Sequence, residues 1–327
     1  MQGVILAGKN TTIPVSSTSL VDLPTSPTKP TVYIVGTRPL PEALLDVYPK
    51  WARRFGQRST AIEPVTAPAD VDSEGYQRFI EFMRDEYNAV GAVMVSQAAP
   101  LFEHTRELFD SFDDDAAVLG EIGVALRAPG TLSALAPAKN AAQGAYEYTF
   151  GKHSDPTEVL IMGATGPARA LALALSSAEG KSGPRRVFLT TLDGKSMTDM
   201  RQRVADLPEE RRPVLRHIQS QLEHDRLVTL LPPGSLIVNA TGPTEIDTPS
   251  PVGSAALFPQ DGLVWDLDAV GISSPFLDKA RQQRRERGLR LADGPVFHRF
   301  QWLTAAAAVF GATPDAAEAK KMLKQIG

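Results

Sequence analysis

One stretch constrains this chain more than any other. From Glu158 the sequence runs Val-Leu-Ile-Met, turns through Gly163-Ala164-Thr165-Gly166-Pro167, and continues into the small, apolar run Ala168-Arg169-Ala170-Leu171. An unbroken apolar run followed by a tight turn and an Ala/Leu-rich segment predicts strand, turn and helix. Such a turn brings backbone N–H groups at a helix N-terminus to an anion, because the dipole favours negative charge and small residues allow close approach. A dinucleotide site is the first expectation and an ordinary βα connection the alternative. The motif is incomplete, since Thr165 stands at the middle glycine of G-x-G-x-x-G and the last glycine is also missing.

A length of 327 residues suits two domains of about 150 residues each. With 43% apolar and 22% charged residues the chain falls among soluble globular proteins. Lys+Arg 34 against Asp+Glu 38 leaves a formal net charge of -4, so no global cationic field exists to hold nucleic acid or an anionic membrane. The apolar run Gly3–Gly8 is too short for a signal segment, and no apolar stretch reaches spanning length. The expected setting is the cytoplasm and the expected partner a small molecule, with a homodimer left open. Absence of cysteine removes disulfides, thiolate nucleophiles and thiolate metal sites together.

Residues 9–30 are rich in Ser, Thr and Pro without apolar period, which predicts an extended arm over residues 1–30. Beyond it a βαβαβα rhythm is expected: strand Thr31–Gly36, helix Pro41–Phe55, strand Thr60–Val65, a helix capped at Asp72 or Ser73, strand Gly91–Ser96 and a helix near Phe102–Phe112. Short strands follow over Ala117–Leu135, then a helix over Ala138–Tyr148. The polar turn residues 151–156 mark a domain boundary. The second half repeats the alternation, with strands expected at Arg186–Thr191, Arg226–Leu230, Leu236–Thr241, Gly262–Leu267 and near Leu289–Leu291. Helices are expected at Met197–Val204, Pro275–Glu286 and Val296–Phe310. The fold class is α/β, and an open parallel sheet places its ligand at the carboxyl ends of the strands. Gly163–Gly166, Asn239–Pro243 and Asp266 all fall there.

Three segments carry a family resemblance: the turn Gly163–Gly166 with Asn239-Ala240-Thr241, the segment Val264-Trp-Asp266-Leu-Asp-Ala269 through Ser274-Pro275-Phe-Leu277, and Gly294-Pro-Val-Phe-His-Arg-Phe-Gln301. They are similar to the glycine turn, the D-x-x-Y-x-P-x-x-T-P-L-L segment and the G-x-G-M-L-x-x-Q segment of the shikimate and quinate dehydrogenases. More loosely, Glu121-Ile-Gly-Val-Ala-Leu126 resembles that family's I-G-A-V-N-T strand. The resemblance implies an α/β substrate domain over residues 31–150 and a Rossmann-like nucleotide domain over 151–293. It further implies helices over 294–327 that return to the first domain, with the active site in the cleft between the two.

The departures fall on the chemistry. The family's catalytic lysine belongs after Val95-Ser96, where Gln97–Phe102 has none, and its catalytic aspartate belongs within Ala136–Ala141, which has no acid. A lysine beside a carboxylate shuttles the hydroxyl proton as hydride leaves carbon, so shikimate oxidation loses its usual relay. Lys139, beside the lost aspartate, is the candidate replacement, with Glu103 and His104 as candidate bases; the alternative for all three is a solvated helix residue. On the substrate side Arg38 offers a bidentate fork for a carboxylate, Gln301 matches the family's glutamine, and Thr241 is a further contact. The cofactor, NAD or NADP, would be held by Gly163, Ala164, Thr165, Gly166, Pro167, Ala168, Thr191, Asp193, Asn239, Ala240, Thr241, Gly242 and Asp266. Asp193 suits ribose hydroxyls and hence NAD, whereas Lys195 and Ser196 suit a phosphate; Asp193 as a plain turn residue stays open. Five histidines without metal spacing predict no metal site.

Three functions compete on these residues. They are an NAD(P)-dependent oxidoreductase acting on a small cyclic or carboxylated substrate other than shikimate, a non-catalytic ligand- or nucleotide-binding protein, and non-redox chemistry on the same scaffold.

Overall fold

The computed structural model describes residues 18–20, 22–37, 40–68, 70–151, 154–177, 183–242, 249–269 and 274–326. The first half forms β1 (Thr18–Ser19), β2 (Thr31–Gly36), α1 (Glu42–Arg54), β3 (Ala61–Thr66), α2 (Ser73–Asp85), β4 (Ala89–Met94) and α3 (Ala98–Thr105). It continues with β5 (Ser111–Phe112), α4 (Asp114–Leu119), β6 (Val124–Ala128), β7 (Thr131–Leu135) and α5 (Ala138–Phe150). Next come β8 (Val159–Met162), α6 (Gly166–Ser176), β9 (Val187–Thr191), α7 (Gly194–Arg203), β10 (Val214–His217), α8 (Gln221–Leu230), β11 (Leu236–Asn239) and β12 (Leu263–Asp266). The chain closes with α9 (Pro275–Arg287), β13 (Arg290–Ala292), α10 (Pro295–Val309) and α11 (Ala316–Leu323).

Two sheets result. The first runs β1-β3-β2-β4-β6-β7-β5. It is parallel from β1 to β4, antiparallel where β6 meets β4 and where the hairpin at Gly130 brings β7 onto β6, and parallel again where β5 meets β7. The second runs β10-β9-β8-β11-β12-β13 with every pairing parallel. Counted from β8 this is the 3-2-1-4-5-6 order of a dinucleotide-binding sheet, whose switch point lies between the first strand and the fourth, here β8 and β11. Strands β8, β11 and β12 are buried along their whole length, as a parallel sheet covered on both faces requires.

Helices α5 and α10 join the halves. Trp265 on β12 is fully buried and meets Phe150 of α5 and Phe297 of α10 edge-on, at ring separations of 5.7 and 6.0 Å, while its indole N–H donates to the Asp293 carbonyl. From there α10 runs back over the first sheet, packing on β4, β6 and α1. Tyr48 of α1 donates to the Trp302 carbonyl of α10 at 2.9 Å. One apolar core therefore spans both sheets.

Several elements differ from the sequence expectation. Arg226–Leu230 lies in helix α8 rather than a strand, because a five-residue apolar run has no period of its own. The strand in that region is β10, an edge strand exposed at three of its four residues. The expected helix near Phe102–Phe112 is α3 followed by a 3-10 turn and β5, and the expected strands after Ala117 are preceded by α4, capped by the Asp113 carboxylate on the Ala116 N–H. The first sheet is mixed, not purely parallel. Part of the arm forms β1, paired with Val65 and Thr66 of β3; residues 1–17 lie outside the described part. No described helix is long and apolar enough to cross a membrane.

Truncating the aromatic that joins the halves removes core volume on three elements at once. Trp265→Ala is expected to lower the unfolding free energy by about 3–5 kcal/mol in urea titration; a loss below about 1 kcal/mol would show that the two halves do not depend on this contact.

Candidate functional site

The glycine turn sits at the switch point. Gly163 has φ +115°, and a Cβ there would fall 1.9 Å from the Ala240 carbonyl oxygen, so only glycine lets β8 turn this close to the end of β11. Thr165 caps α6, accepting the Ala168 N–H at 3.4 Å and donating from the same hydroxyl to the Ala240 carbonyl at 3.0 Å. Pro167 has no N–H. Among the first three residues of α6, the N–H of Gly166 is the one that neither proline nor the cap removes.

The ends of β11 and β12 are tied to one another. The Asp266 carboxylate, fully buried, accepts from Asn239 Nδ2 at 3.1 Å, from the Asp268 and Ala269 N–H groups and from the Ser274 hydroxyl that caps α9. Its oxygens are engaged by four donors within the fold. Asn239 is 5% exposed, and its oxygen takes the N–H and hydroxyl of the exposed Thr241. The Gly242 N–H donates to Asp268. Burial pushes the Asp268 carboxyl up to about 7, reinforced by the Asp266 charge and opposed by the Gly242 bond.

Across the cleft, α10 presents a cavity of about 430 Å³ bounded by Pro41 and Ala43 of the first helix region, Val93–Val95 at the carboxyl end of β4, and Gln301, His298 and Arg299. His298 Nδ1 lies 3.1 Å from Gln301 Oε1, and the ring also bonds the Leu267 backbone carbonyl just past β12. Burial holds the ring below the ordinary histidine pKa, against the raising effect of both bonds. Gln301 and His298 thus stand between the carboxyl ends of the two sheets. His298 was not singled out from sequence, although an imidazole in the leucine slot of G-x-G-M-L-x-x-Q was a visible signal.

Other expected residues lie elsewhere. Lys139 is ion-paired with Asp115 of α4 and does not line the Gln301 cavity. His104 stacks on Tyr76 at 5.6 Å, on the α2 side of the first sheet, and Glu103 is exposed. Arg38 and Pro243 lie outside the described residues. The Ser196 hydroxyl, then the Ser196 and Lys195 N–H groups that Asp193 caps at the start of α7, hold its carboxyl below the ordinary range, and Thr191 accepts the Asp193 N–H. Among the described residues no cluster of His, Asp and Glu suits a metal.

No protein-family model matches the chain, and no curated protein matches it in sequence. Solved structures do match. Shikimate 5-dehydrogenase from Thermus thermophilus, solved with NADP(H) and shikimate, aligns at 18% identity over 91% of this chain and 99% of its own, with a TM-score of 0.61. Quinate dehydrogenase from Corynebacterium glutamicum, solved with NAD, aligns at 15% identity over 90% and 98%, with a TM-score of 0.67. The chain has the shikimate dehydrogenase fold. Ligand-free 5-ketofructose reductase of a Gluconobacter species shares it at 17% identity and TM-score 0.64, over 91% of this chain and 99% of its own.

Within the shikimate dehydrogenase fold the chain carries a buried acid at the cleft. Glu121, between α4 and β6, is pushed up to about 7 by burial, with the Arg169 charge lowering it and Asp113 adding to the rise. A folded value raised above the ordinary 4.5 gives stability that is fully present below about 4.5 and is lost as pH rises through about 7. Glu121→Gln cannot ionise. Its gain in unfolding free energy over the parent should grow from near zero at acid pH to about 3 kcal/mol above neutrality, read by urea unfolding at pH 4.5 and 8; a gain independent of pH would contradict the assignment.

Proposed function

We propose that this protein is an NAD(P)-dependent oxidoreductase acting on a small cyclic or carboxylated substrate other than shikimate. The observation that carries the proposal is the shared cleft: the Gly163 turn at the switch point of a 3-2-1-4-5-6 sheet on one side, the Gln301–His298 cavity on the other. The residues fit a dinucleotide at the turn, where small side chains and the open N–H of Gly166 precede an eleven-residue helix. On this reading Gly163, Ala164, Thr165, Gly166, Pro167 and Ala168 hold the phosphates, and Thr191, Asn239, Ala240, Thr241 and Gly242 border the sugars. A bound nicotinamide dinucleotide supplies the hydride acceptor or donor. The solved relatives named above that carry NAD or NADP(H) support this part of the reading.

On the substrate side, the Gln301 amide offers donors and an acceptor that orient a hydroxyl or carboxylate. On this reading a substrate hydroxyl displaces the Gln301 oxygen from His298 Nδ1, and the ring, held below the ordinary histidine pKa by burial, accepts its proton or returns one to a carbonyl oxygen. That role answers the missing lysine and aspartate of the family, and Lys139 is not given it because it does not line the Gln301 cavity. The absence of a lysine from Gln97–Phe102 and of an acid from Ala136–Ala141 favours the second reading, a nucleotide- or ligand-binding protein without turnover.

Calorimetric titration of the purified chain with NADH and NADPH separates these readings from one in which no nucleotide binds. Binding of either, followed by oxidation of a small cyclic or carboxylated alcohol from a panel, is expected; binding without turnover of any member favours the second reading. Gln301→Ala should cut kcat/KM by a factor corresponding to about 1–3 kcal/mol while nucleotide affinity holds. His298→Gln should lower kcat about a hundredfold at unchanged nucleotide affinity. A His298 variant with full turnover would remove the imidazole from the chemistry.

A further inference from the structure

Glu121 belongs to the first half of the chain, yet its carboxylate lies against the start of the nucleotide-turn helix in the second. A Cβ built on Gly166 would meet Glu121 Oε2 at 3.1 Å. The residue is 7% exposed, and among the described residues its carboxylate has no hydrogen-bond donor, only the residual solvent contact that this exposure leaves. A buried charge without donors is rare, because desolvation costs more than a distant opposite charge returns.

The charged groups around it come from three elements. Arg169 of α6 faces it with its Nε–H buried and unpartnered, and Asp113 faces it from the N-cap of α4. Arg169 shares the Asp199 carboxylate of α7 with Arg203, at 3.4 and 2.8 Å, and Arg203 covers the Phe102 ring of α3 at 5.5 Å. The first half therefore reaches across to α6 and α7 here, and the group it delivers to the helix end is an acid. A carboxylate held beside a helix N-terminus opposes an anion that approaches the same end.

We propose that Glu121 is a built-in competitor for the phosphate position of the Gly163–Gly166 turn, so that dinucleotide binding takes up one proton at this carboxylate. The inference rests on the nucleotide reading given above. Two anions do not share one desolvated helix end, whereas a protonated Glu121 carries an O–H that donates to a phosphate oxygen. The proton comes from solvent, and no bond other than that O–H forms. A Glu121 that serves only to balance Arg169 would leave nucleotide affinity and its pH dependence untouched.

The test compares the parent with Glu121→Gln, using whichever of NADH and NADPH the parent binds more tightly. Calorimetry at pH 6 and 8, in buffers of different ionisation enthalpy, reads affinity and proton uptake together. The parent should lose about tenfold in affinity between the two values and take up close to one proton at pH 8. The glutamine variant should bind at pH 8 about tenfold more tightly than the parent, with no uptake beyond that of the nucleotide itself. Glu121→Ala, which also removes the side-chain volume, should behave like glutamine and serves where the glutamine variant folds poorly. Equal affinity and equal uptake in parent and variants would overturn the proposal while leaving the nucleotide site standing. Absence of nucleotide binding in all three proteins would overturn the nucleotide reading itself, and the proposal with it.

Discussion

Helix α10 reaches its seat because three neighbours lack a Cβ. One built on Gly294 would lie 2.3 Å from the Leu267 carbonyl, one on Gly144 2.7 Å from the Phe300 ring, and one on Gly91 2.4 Å from Val309. These three glycines come from the helix start, from α5 and from β4, so the helix is pressed at once against the end of β12, the linking helix and the first sheet. Contacts this close fix a helix's rotation, because ridges on one surface fill gaps on the other. The rotation in turn points His298 and Gln301 into the cleft and brings Trp265, Phe150 and Phe297 together in the core that both sheets share. The substrate-side cavity is therefore a consequence of packing rather than of a mobile loop.

Much of this was legible in the sequence, and for physical reasons. Strand β8, its turn and α6 stood out because a buried parallel strand must be apolar throughout and a close turn must be small. Gln301 was named only through the resemblance of Gly294–Gln301 to the family's G-x-G-M-L-x-x-Q segment. The misread segments are those whose burial and residue types disagree: α8 buries His224 and Asp225 beside Val228, hiding its helical period, and β10 is too exposed to show an apolar one. Asp266 was expected to meet a cofactor because it ends a strand at the switch point. Its four partners show that a buried carboxylate there holds strand ends and a helix cap in register. His298 and Glu121 went unremarked for a shared reason: each is a polar residue in an apolar slot, a signal that acquires meaning only when the fold shows what the slot faces.

The two sides of the cleft differ in how far they are prepared for chemistry. At the turn, Gly163, Thr165, Asn239 and Asp268 are already locked by backbone and side-chain bonds, which on the proposed reading lowers the ordering cost of binding a dinucleotide. Around the Gln301 cavity a partly buried imidazole stands beside an amide, with burial holding the ring below the ordinary histidine pKa.

The central claim is that the turn at the end of β8 receives the phosphates of a dinucleotide and that α10 receives its substrate on the facing side. A crystal structure of the chain grown with NADH or NADPH tests it most directly. The pyrophosphate is expected against the backbone of Ala164–Gly166, with the nicotinamide end directed past Asn239–Thr241 toward His298 and Gln301. A dinucleotide seated away from that turn, or a cleft that stays empty at concentrations where calorimetry shows binding, would contradict it.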